Sequence, residues 1–186
     1  ANGKDINLQT TGKLSILSVG DSFTRLKAEN SSPGTEIKFD SNWKFGTTLG
    51  GLTIGKTTNT YDITLSNSIT TTGPISVYGG AITLGVGSYL TTSSGDISLI
   101  AKNGFSTAAI SGTTRSSITT GTGNLHINAD ADNNNSGTLD IDWLTLNSGT
   151  GNILLEAAGY SWSTFSSVTS PEIYGTGALT IRSVSS

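Results

Sequence analysis

The chain has 186 residues, with 10 Lys and Arg, 13 Asp and Glu, no Cys, and a formal net charge of −3. Only 12% of the residues are charged, about half of the usual 25%, whereas 27 are Ser and 30 are Thr. The negative charge has the wrong sign for tracking phosphates, so we expect no nucleic-acid partner. No run approaches the roughly 18–20 apolar residues of a membrane-spanning helix, so we expect no membrane insertion. The lack of Cys excludes a disulfide framework and a thiolate metal site.

One short unit recurs along the whole chain: a turn residue, usually Gly, and then two apolar residues separated by one polar residue. Alternation of this kind, bounded by Gly, predicts short β-strands with one buried face. In chain order the twelve copies are GKDINL (3–8), GKLSIL (12–17), GTEIKF (34–39), GLTI (51–54), YDITL (61–65), GPISV (73–77), GAITL (80–84), GDISL (95–99), GNLHI (123–127), GTLDI (137–141), GNILL (151–155) and GALTI (177–181). The one stretch that permits a turn or two of helix is Phe23–Asn30.

The spacing of these units selects among the all-β architectures. Single steps vary from 7 to 28 residues, but long steps recur, such as 28 from Leu125 to Ile153 and 26 from Ile153 to Leu179. A solenoid gives every coil the same chemical environment, which a sandwich or closed barrel does not. We therefore predict a single domain over residues 1–186, a right-handed parallel β-helix (β-solenoid) of about 7–9 coils with roughly 20–28 residues each.

The alternation also predicts which side chains form the inner column of this solenoid. The apolar positions of nine of the units are expected to point inward. They are Ile6, Leu8, Leu14, Ile16, Ile63, Leu65, Ile82, Leu84, Ile97, Leu99, Leu125, Ile127, Leu139, Ile141, Ile153, Leu155, Leu179 and Ile181.

Two stretches carry a resemblance to a known family. GLTIGKTTNTYDITLSNSITTTGPISVYGGAITL (51–84), followed by SGDISLIAKNG (94–104), is similar to the repeat regions of filamentous haemagglutinin-like proteins, and so is GTGNLHINADADNNNSGTLDI (121–141). These are large bacterial exoproteins and adhesins, commonly exported by two-partner secretion. The resemblance implies a secreted right-handed β-helix exposed at the bacterial cell surface. The Asn-Pro-Asn-type motifs of the family's N-terminal secretion domain are absent, so the resemblance implies repeat shaft rather than export signal.

The segment DADNNNSGTLDID (130–142) carries a candidate metal site. Read from its second Asp, it matches the first nine positions of an EF-hand-type loop, with oxygen side chains on alternate residues and Gly at the sharp turn. Trp143 replaces the bidentate Glu of the twelfth position, so a Ca²⁺ site here is expected to be weak. The alternative is a plain surface loop, because Asn, Asp, Ser and Gly are favoured in exposed turns. The candidate ligands are Asp132, Asn134, Ser136, Thr138 and Asp140.

No catalytic residues are predicted. His126 is the single histidine and alternates outward between Leu125 and Ile127, which excludes a Ser-His-Asp triad and indicates a solvated surface position. Asp140 and Asp142 share the outward face about 7 Å apart, within the range of inverting glycosidase pairs. A cationic partner for them would have to come from another coil, so we predict a polar outer face and no enzyme.

Aromatic residues cluster in SNWKF (Trp43, Phe45) and GYSWSTF (Tyr160, Trp162, Phe165). As exposed patches they would form binding surfaces for sugar or a partner chain. As inward residues they would fill wide coils, which is the interpretation that we favour.

We therefore expect a non-enzymatic, extracellular β-solenoid that serves as the shaft or filament module of a bacterial surface adhesin. The alternative is a carbohydrate-binding or carbohydrate-active β-helix. The chain begins at Ala1, lacks Met, and has ordinary strand units close to both ends, so we expect a processed or partial chain that stacks head to tail on itself. The other expected partners are a surface glycan or a receptor on a host or neighbouring cell.

Overall fold

The computed structural model describes residues 5–23, 36–108, 114–161 and 170–184, and within these ranges the chain forms β-strands and no helix. The twenty strands, numbered β1–β20 in chain order, form four parallel sheets. This arrangement confirms the predicted parallel β-solenoid. Residues 24–30, where the sequence permits a helical turn, lie outside the described ranges.

Successive turns of the solenoid, from β5 to β19, contribute one strand to each of three long sheets. Sheet 1 contains β2 (Lys13–Ile16), β5 (Gly51–Ile54), β8 (Ile75–Gly79), β11 (Ile97–Ala101), β14 (Leu125–Asn128), β17 (Ile153–Ala157) and β20 (Leu179–Ser183). Sheet 2 contains β3 (Glu36–Phe39), β6 (Asp62–Leu65), β9 (Ile82–Leu84), β12 (Phe105–Thr107), β15 (Thr138–Asp140) and β18 (Gly159–Ser161). Sheet 3 contains β7 (Ile69–Thr71), β10 (Tyr89–Thr92), β13 (Ser116–Thr120), β16 (Leu144–Asn147) and β19 (Glu172–Tyr174). The fourth sheet pairs β1 (Ile6–Leu8) with β4 (Trp43–Phe45).

The register of sheet 1 accounts for the spacing of the sequence units. Leu52 pairs with Ile75, which pairs with Ile97, so these turns take 23 and 22 residues. Ile97 then pairs with Leu125, and Leu125 with Ile153, in turns of 28 residues each. Turns of unequal length therefore stack with their strands in register, and the extra residues of the longer turns lie in the connections between strands.

The inner column agrees with the prediction over most of its length. Twelve of the predicted residues are buried, and they belong to one hydrophobic cluster that runs through the solenoid. The inward side chains of β1 and β2, Ile6, Leu8, Leu14 and Ile16, are half-buried and pack against this cluster. Leu179 and Ile181 point inward as predicted, but they are not buried, since each is 49% exposed. These two side chains continue the column in register with Ile153 and Leu155, but in the described residues no strand pairs with the outer edge of β20.

The corner between sheet 3 and sheet 1 is built from stacked glycines. A Cβ atom on Gly123 would overlap the carbonyl of Gly95, and a Cβ atom on Gly151 would overlap the carbonyl of Gly123. Only glycine lets successive backbones approach this closely. This glycine column consists of Gly50, Gly73, Gly95, Gly123, Gly151 and Gly177.

Hydroxyl groups inside the same corner bond to the carbonyls of these glycines. Thr71 Oγ1 donates to Gly73 O at 2.6 Å, and Ser148 Oγ donates to Gly151 O at 2.7 Å. Thr92 and Thr120 make the equivalent bonds in the two turns between them. We call these four residues the corner hydroxyl row. Their polar side chains can be buried because each hydroxyl has a carbonyl acceptor.

A ladder of side chains lies beside the glycine column and connects neighbouring turns. Asp96 Oδ1 accepts the backbone N–H of Asn124 at 2.7 Å, and Asn124 Oδ1 accepts that of Asn152 at 3.0 Å. Asn152 Oδ1 in turn accepts the N–H of Ala178 at 2.9 Å. Each turn thus satisfies a backbone donor of the next one.

Candidate functional site

The loop between β14 and β15 contains three of the five predicted calcium ligands and brings them together. Asn134 Nδ2 donates to Asp132 Oδ2 at 3.0 Å, and the N–H of Ser136 donates to Asn134 Oδ1 at 2.9 Å. Thr138 begins β15 and is exposed. Asp140 ends β15, where its Oδ1 accepts the N–H of Asp142 at 3.2 Å. The predicted ligands thus divide into a loop set and a strand set.

Asp130, at the start of this loop, is absent from the predicted ligand set. It is fully buried, and its Oδ2 accepts the N–H of Asn135 at 3.1 Å. Its Oδ1 is buried without a hydrogen-bond partner. The sequence did carry a signal for this residue, because the alternation of oxygen side chains already begins at Asp130. Within the described residues, no three His, Cys, Asp or Glu side chains form a group that could hold a metal.

Asp140 and Asp142 are neighbours, but Asp140 ends β15 and Asp142 lies in the turn that follows it. Burial raises the pKa of Asp140, the hydrogen bond from the N–H of Asp142 lowers it, and the negative charge of Asp142 raises it. The net direction is upward. A raised carboxyl pKa is a property that a general acid needs, but nothing else in this pair supports a catalytic role for it.

His126 points outward from β14, as predicted, but it is not simply solvated. Its Nε2 lies 2.5 Å from Oε2 of Glu156, a residue that is only 5% exposed. Arg182 Nε donates to the other oxygen of Glu156 at 2.6 Å. The arrangement is a buried carboxylate held between two basic side chains on the outer face of sheet 1.

A shallow groove of about 260 Å³ opens beside the junction of the β1–β4 pair and sheet 3. Tyr89, which is 46% exposed, and Lys44 contribute to its wall. Trp43 also lines the groove, although it is only 6% exposed, and its Nε1 is buried without a hydrogen-bond partner. The remaining lining residues are Phe45, Thr47, Asn67, Ser68 and Thr70. The groove therefore combines aromatic faces, hydrogen-bonding groups and one cation.

The two predicted aromatic clusters have different outcomes. Trp43 and Phe45 point inward and pack with Phe39, whose ring centroid lies 4.8 Å from that of Trp43, so they fill a coil as we favoured. Tyr160 is half-buried, and its hydroxyl donates to the carbonyl of Arg182 at 2.6 Å. Residues 162–169, which include the rest of the second cluster (Trp162 and Phe165), lie outside the described ranges.

Comparisons with known proteins do not assign this chain to a family. No family model, curated protein or solved structure matches it. Over the described ranges, no helix has the length and apolar character needed to cross a membrane.

Proposed function

We propose that this chain is a non-enzymatic structural module, the shaft or filament segment of an extracellular bacterial surface adhesin, and that it assembles end to end. In this role the stacked strands and the inner column provide a stiff rod, and the outer faces and loops provide the adhesive surface. The resemblance to filamentous haemagglutinin-like repeats supports the same function.

The observation that carries the proposal is the outer edge of β20. Leu179 and Ile181 continue the inner column in register, and both are half-exposed. A strand edge with inward apolar side chains is a template for another strand. We propose that the next coil covers this edge, supplied either by further repeats of a longer polypeptide or by a second copy of this chain.

The test compares two charge substitutions on β20. Leu179→Asp combined with Ile181→Asp places carboxylates in the path of the next coil, whereas Thr180→Asp places one on the outer face of the same strand. We expect the wild type and Thr180→Asp to form end-to-end assemblies at high concentration, seen by light scattering and electron microscopy, and the double variant to stay monomeric. A wild-type chain that remains monomeric at millimolar concentration would contradict self-assembly.

The groove beside Trp43 favours a second candidate function, carbohydrate binding. Aromatic faces pack on the C–H surfaces of sugar rings, and the half-exposed ring of Tyr89 offers such a face, while Ser68 and Thr70 in the lining offer hydroxyl groups for hydrogen bonds to a sugar. The small volume of the groove suits one or two sugar units rather than a long chain. Lys44 at its wall favours a sugar that carries a carboxylate.

Titration with acidic and neutral disaccharides tests this second candidate. We expect Tyr89→Ala and Lys44→Ala to reduce the affinity for an acidic disaccharide at least fivefold. Tyr78→Ala, on the outer face of β8, provides the matched control and should leave the affinity unchanged. Equal affinities in all three variants, or no binding to the wild type, would contradict it.

A further inference from the structure

We infer that the loop of residues 130–136 binds Ca²⁺ with Asp130 as its first ligand, two positions earlier than the sequence pattern suggested. The observation behind this inference is the orphaned oxygen of Asp130. The residue is fully buried, and while Oδ2 accepts one backbone N–H, Oδ1 has no partner. A buried carboxylate oxygen without a donor is costly unless a cation binds it.

The backbone of the loop supports the same register. In an EF-hand loop the sixth position makes a sharp turn and is normally Gly. Counted from Asp130, the sixth position is Asn135, which has a φ of 63° and so adopts the left-handed conformation that Asn tolerates better than most residues. Counted from Asp132, the sixth position is Gly137, which does not have a positive φ. Gly137 is required for another reason, since a Cβ atom there would overlap the carbonyl of Ala129.

The ligands follow from this register. Positions one, three and five are Asp130, Asp132 and Asn134, and position seven offers the backbone carbonyl of Ser136. Asp132 and Asn134 are exposed and already in contact with each other, so their side chains can turn toward an ion held by Asp130. This set contains two carboxylates together with amide and carbonyl oxygens, which are hard ligands that suit Ca²⁺.

The affinity is expected to be low. Position twelve, which supplies two carboxylate oxygens in an EF-hand, is the buried Ile141. With two carboxylates and no bidentate ligand, we expect a Kd of about 0.1–1 mM, the range of extracellular calcium modules. The site is independent of the end-to-end assembly proposed above.

The experiment is calorimetric titration of the whole chain with CaCl₂, together with thermal unfolding in CaCl₂, in MgCl₂ and in a chelator. Asp130→Asn and the double variant Asp132→Ala/Asn134→Ala should each bind Ca²⁺ at least tenfold more weakly than the wild type. The double variant changes only exposed side chains, so it tests the site even if Asp130→Asn fails to fold. Asp140→Asn is the matched control, since Asp140 belongs only to the register that starts at Asp132, and we expect it to bind as the wild type does.

Each outcome decides the inference. Binding that is lost in the two loop variants and kept in Asp140→Asn supports it. Absence of heat and of a melting shift in the wild type up to about 10 mM CaCl₂, well above the millimolar range of extracellular sites, overturns it. Unchanged binding in a folded Asp130→Asn variant or in the double variant also overturns it, and so does a loss in Asp140→Asn as large as in the loop variants.

Discussion

His126 Nε2 lies 2.5 Å from Oε2 of Glu156, a buried carboxylate on the next strand of sheet 1. Arg182, one strand further on, donates to the other oxygen of the same carboxylate at 2.6 Å. One side chain therefore connects three successive turns, β14, β17 and β20. A buried charge is tolerated only when it is paired, so we expect these contacts to control how the last turns respond to acid.

Glu156 should contribute a pH-dependent part of the stability. Burial raises its pKa, but the hydrogen bonds and charges of His126 and Arg182 outweigh burial and hold the pKa below its usual value of 4.5. The stabilisation is therefore complete above about pH 4.5 and is lost as the pH falls through the lower pKa of the folded state. We expect Glu156→Gln to lower the unfolding free energy at pH 7 by about 1–2 kcal/mol, reduced by the exposure of Arg182, and to match the wild type near pH 2. Chemical denaturation between pH 2 and 7 measures this.

Glu172→Gln is the control for that series. Glu172 forms an ion pair with Arg115 at 3.4 Å, and its side chain is 41% exposed. We expect a change of at most about 0.5 kcal/mol at pH 7. A Glu156→Gln variant whose stability stays parallel to that of the wild type down to pH 2 would contradict the proposed linkage.

Glycine-to-alanine substitutions should destabilise the protein at the crowded corner and have little effect at a less crowded glycine. In Gly123→Ala the new Cβ would overlap the backbone of Gly95, so the turns must move apart, and we expect a loss of more than about 3 kcal/mol. In Gly159→Ala the nearest atom to the new Cβ is Thr138 Oγ1 at 3.6 Å, so this substitution should be neutral or slightly stabilising. Urea unfolding of the two variants makes the comparison, and similar losses would show that the corner is not tightly stacked.

Adjacent threonines on β13 provide a test of the corner hydroxyl row. Thr120 is buried, and its hydroxyl contacts the carbonyls of Gly123 and Ser148, whereas Thr119 lies on the outer face. Thr120→Val keeps the shape but leaves both carbonyls without the hydroxyl donor, so we expect a loss of about 1–3 kcal/mol. Thr119→Val should change stability by less than about 0.5 kcal/mol. Thermal unfolding of both variants measures this. A loss in Thr120→Val as small as that in Thr119→Val would contradict the role of the hydroxyl.

The alternation on β11 predicts opposite effects at neighbouring positions. Leu99 is fully buried between Val77 and Ile127, whereas Ser98 lies on the outer face beside Ser76 and His126. Leu99→Asp buries a charge in the column and should unfold the central turns, while Ser98→Asp should leave the circular dichroism spectrum and the melting temperature nearly unchanged. Comparable melting of the two variants would contradict the observed register.

Sheets 1 and 3 show what alternation can and cannot predict. All seven strands of sheet 1 correspond to sequence units, because both inward positions of each strand hold apolar residues, as in Ile97 and Leu99. The strands of sheet 3 were missed. In β7, β10 and β13 one inward position holds a hydroxyl residue, as Thr92 does beside Leu90, whereas β16 has two inward leucines but no turn Gly in front of them. The hydrogen bond of Thr92 to a glycine carbonyl makes that residue compatible with burial, and this partner becomes visible only when the corner is folded.

The proposed metal site depends on which residue the loop pattern is counted from, and the sequence alone leaves this register open. The pattern of alternating oxygen side chains fits two starting points, Asp130 and Asp132, and Gly137 favoured the second. In the structure Asn135 has a positive φ and Gly137 does not, and Gly137 is required because a Cβ atom there would overlap the carbonyl of Ala129. Sequence could not separate a glycine needed for a turn from a glycine needed for close approach.

The unequal turn lengths have a consequence for the chain as a scaffold. Turns of 22 and 28 residues add the same rise, because the strand ladders alone set the distance between successive turns, at about 4.8 Å. A peptide inserted at Asn133 would therefore be displayed at a fixed height on the rod without lengthening it. Such a chain can change what it presents to its surroundings while it keeps the spacing at which successive epitopes appear.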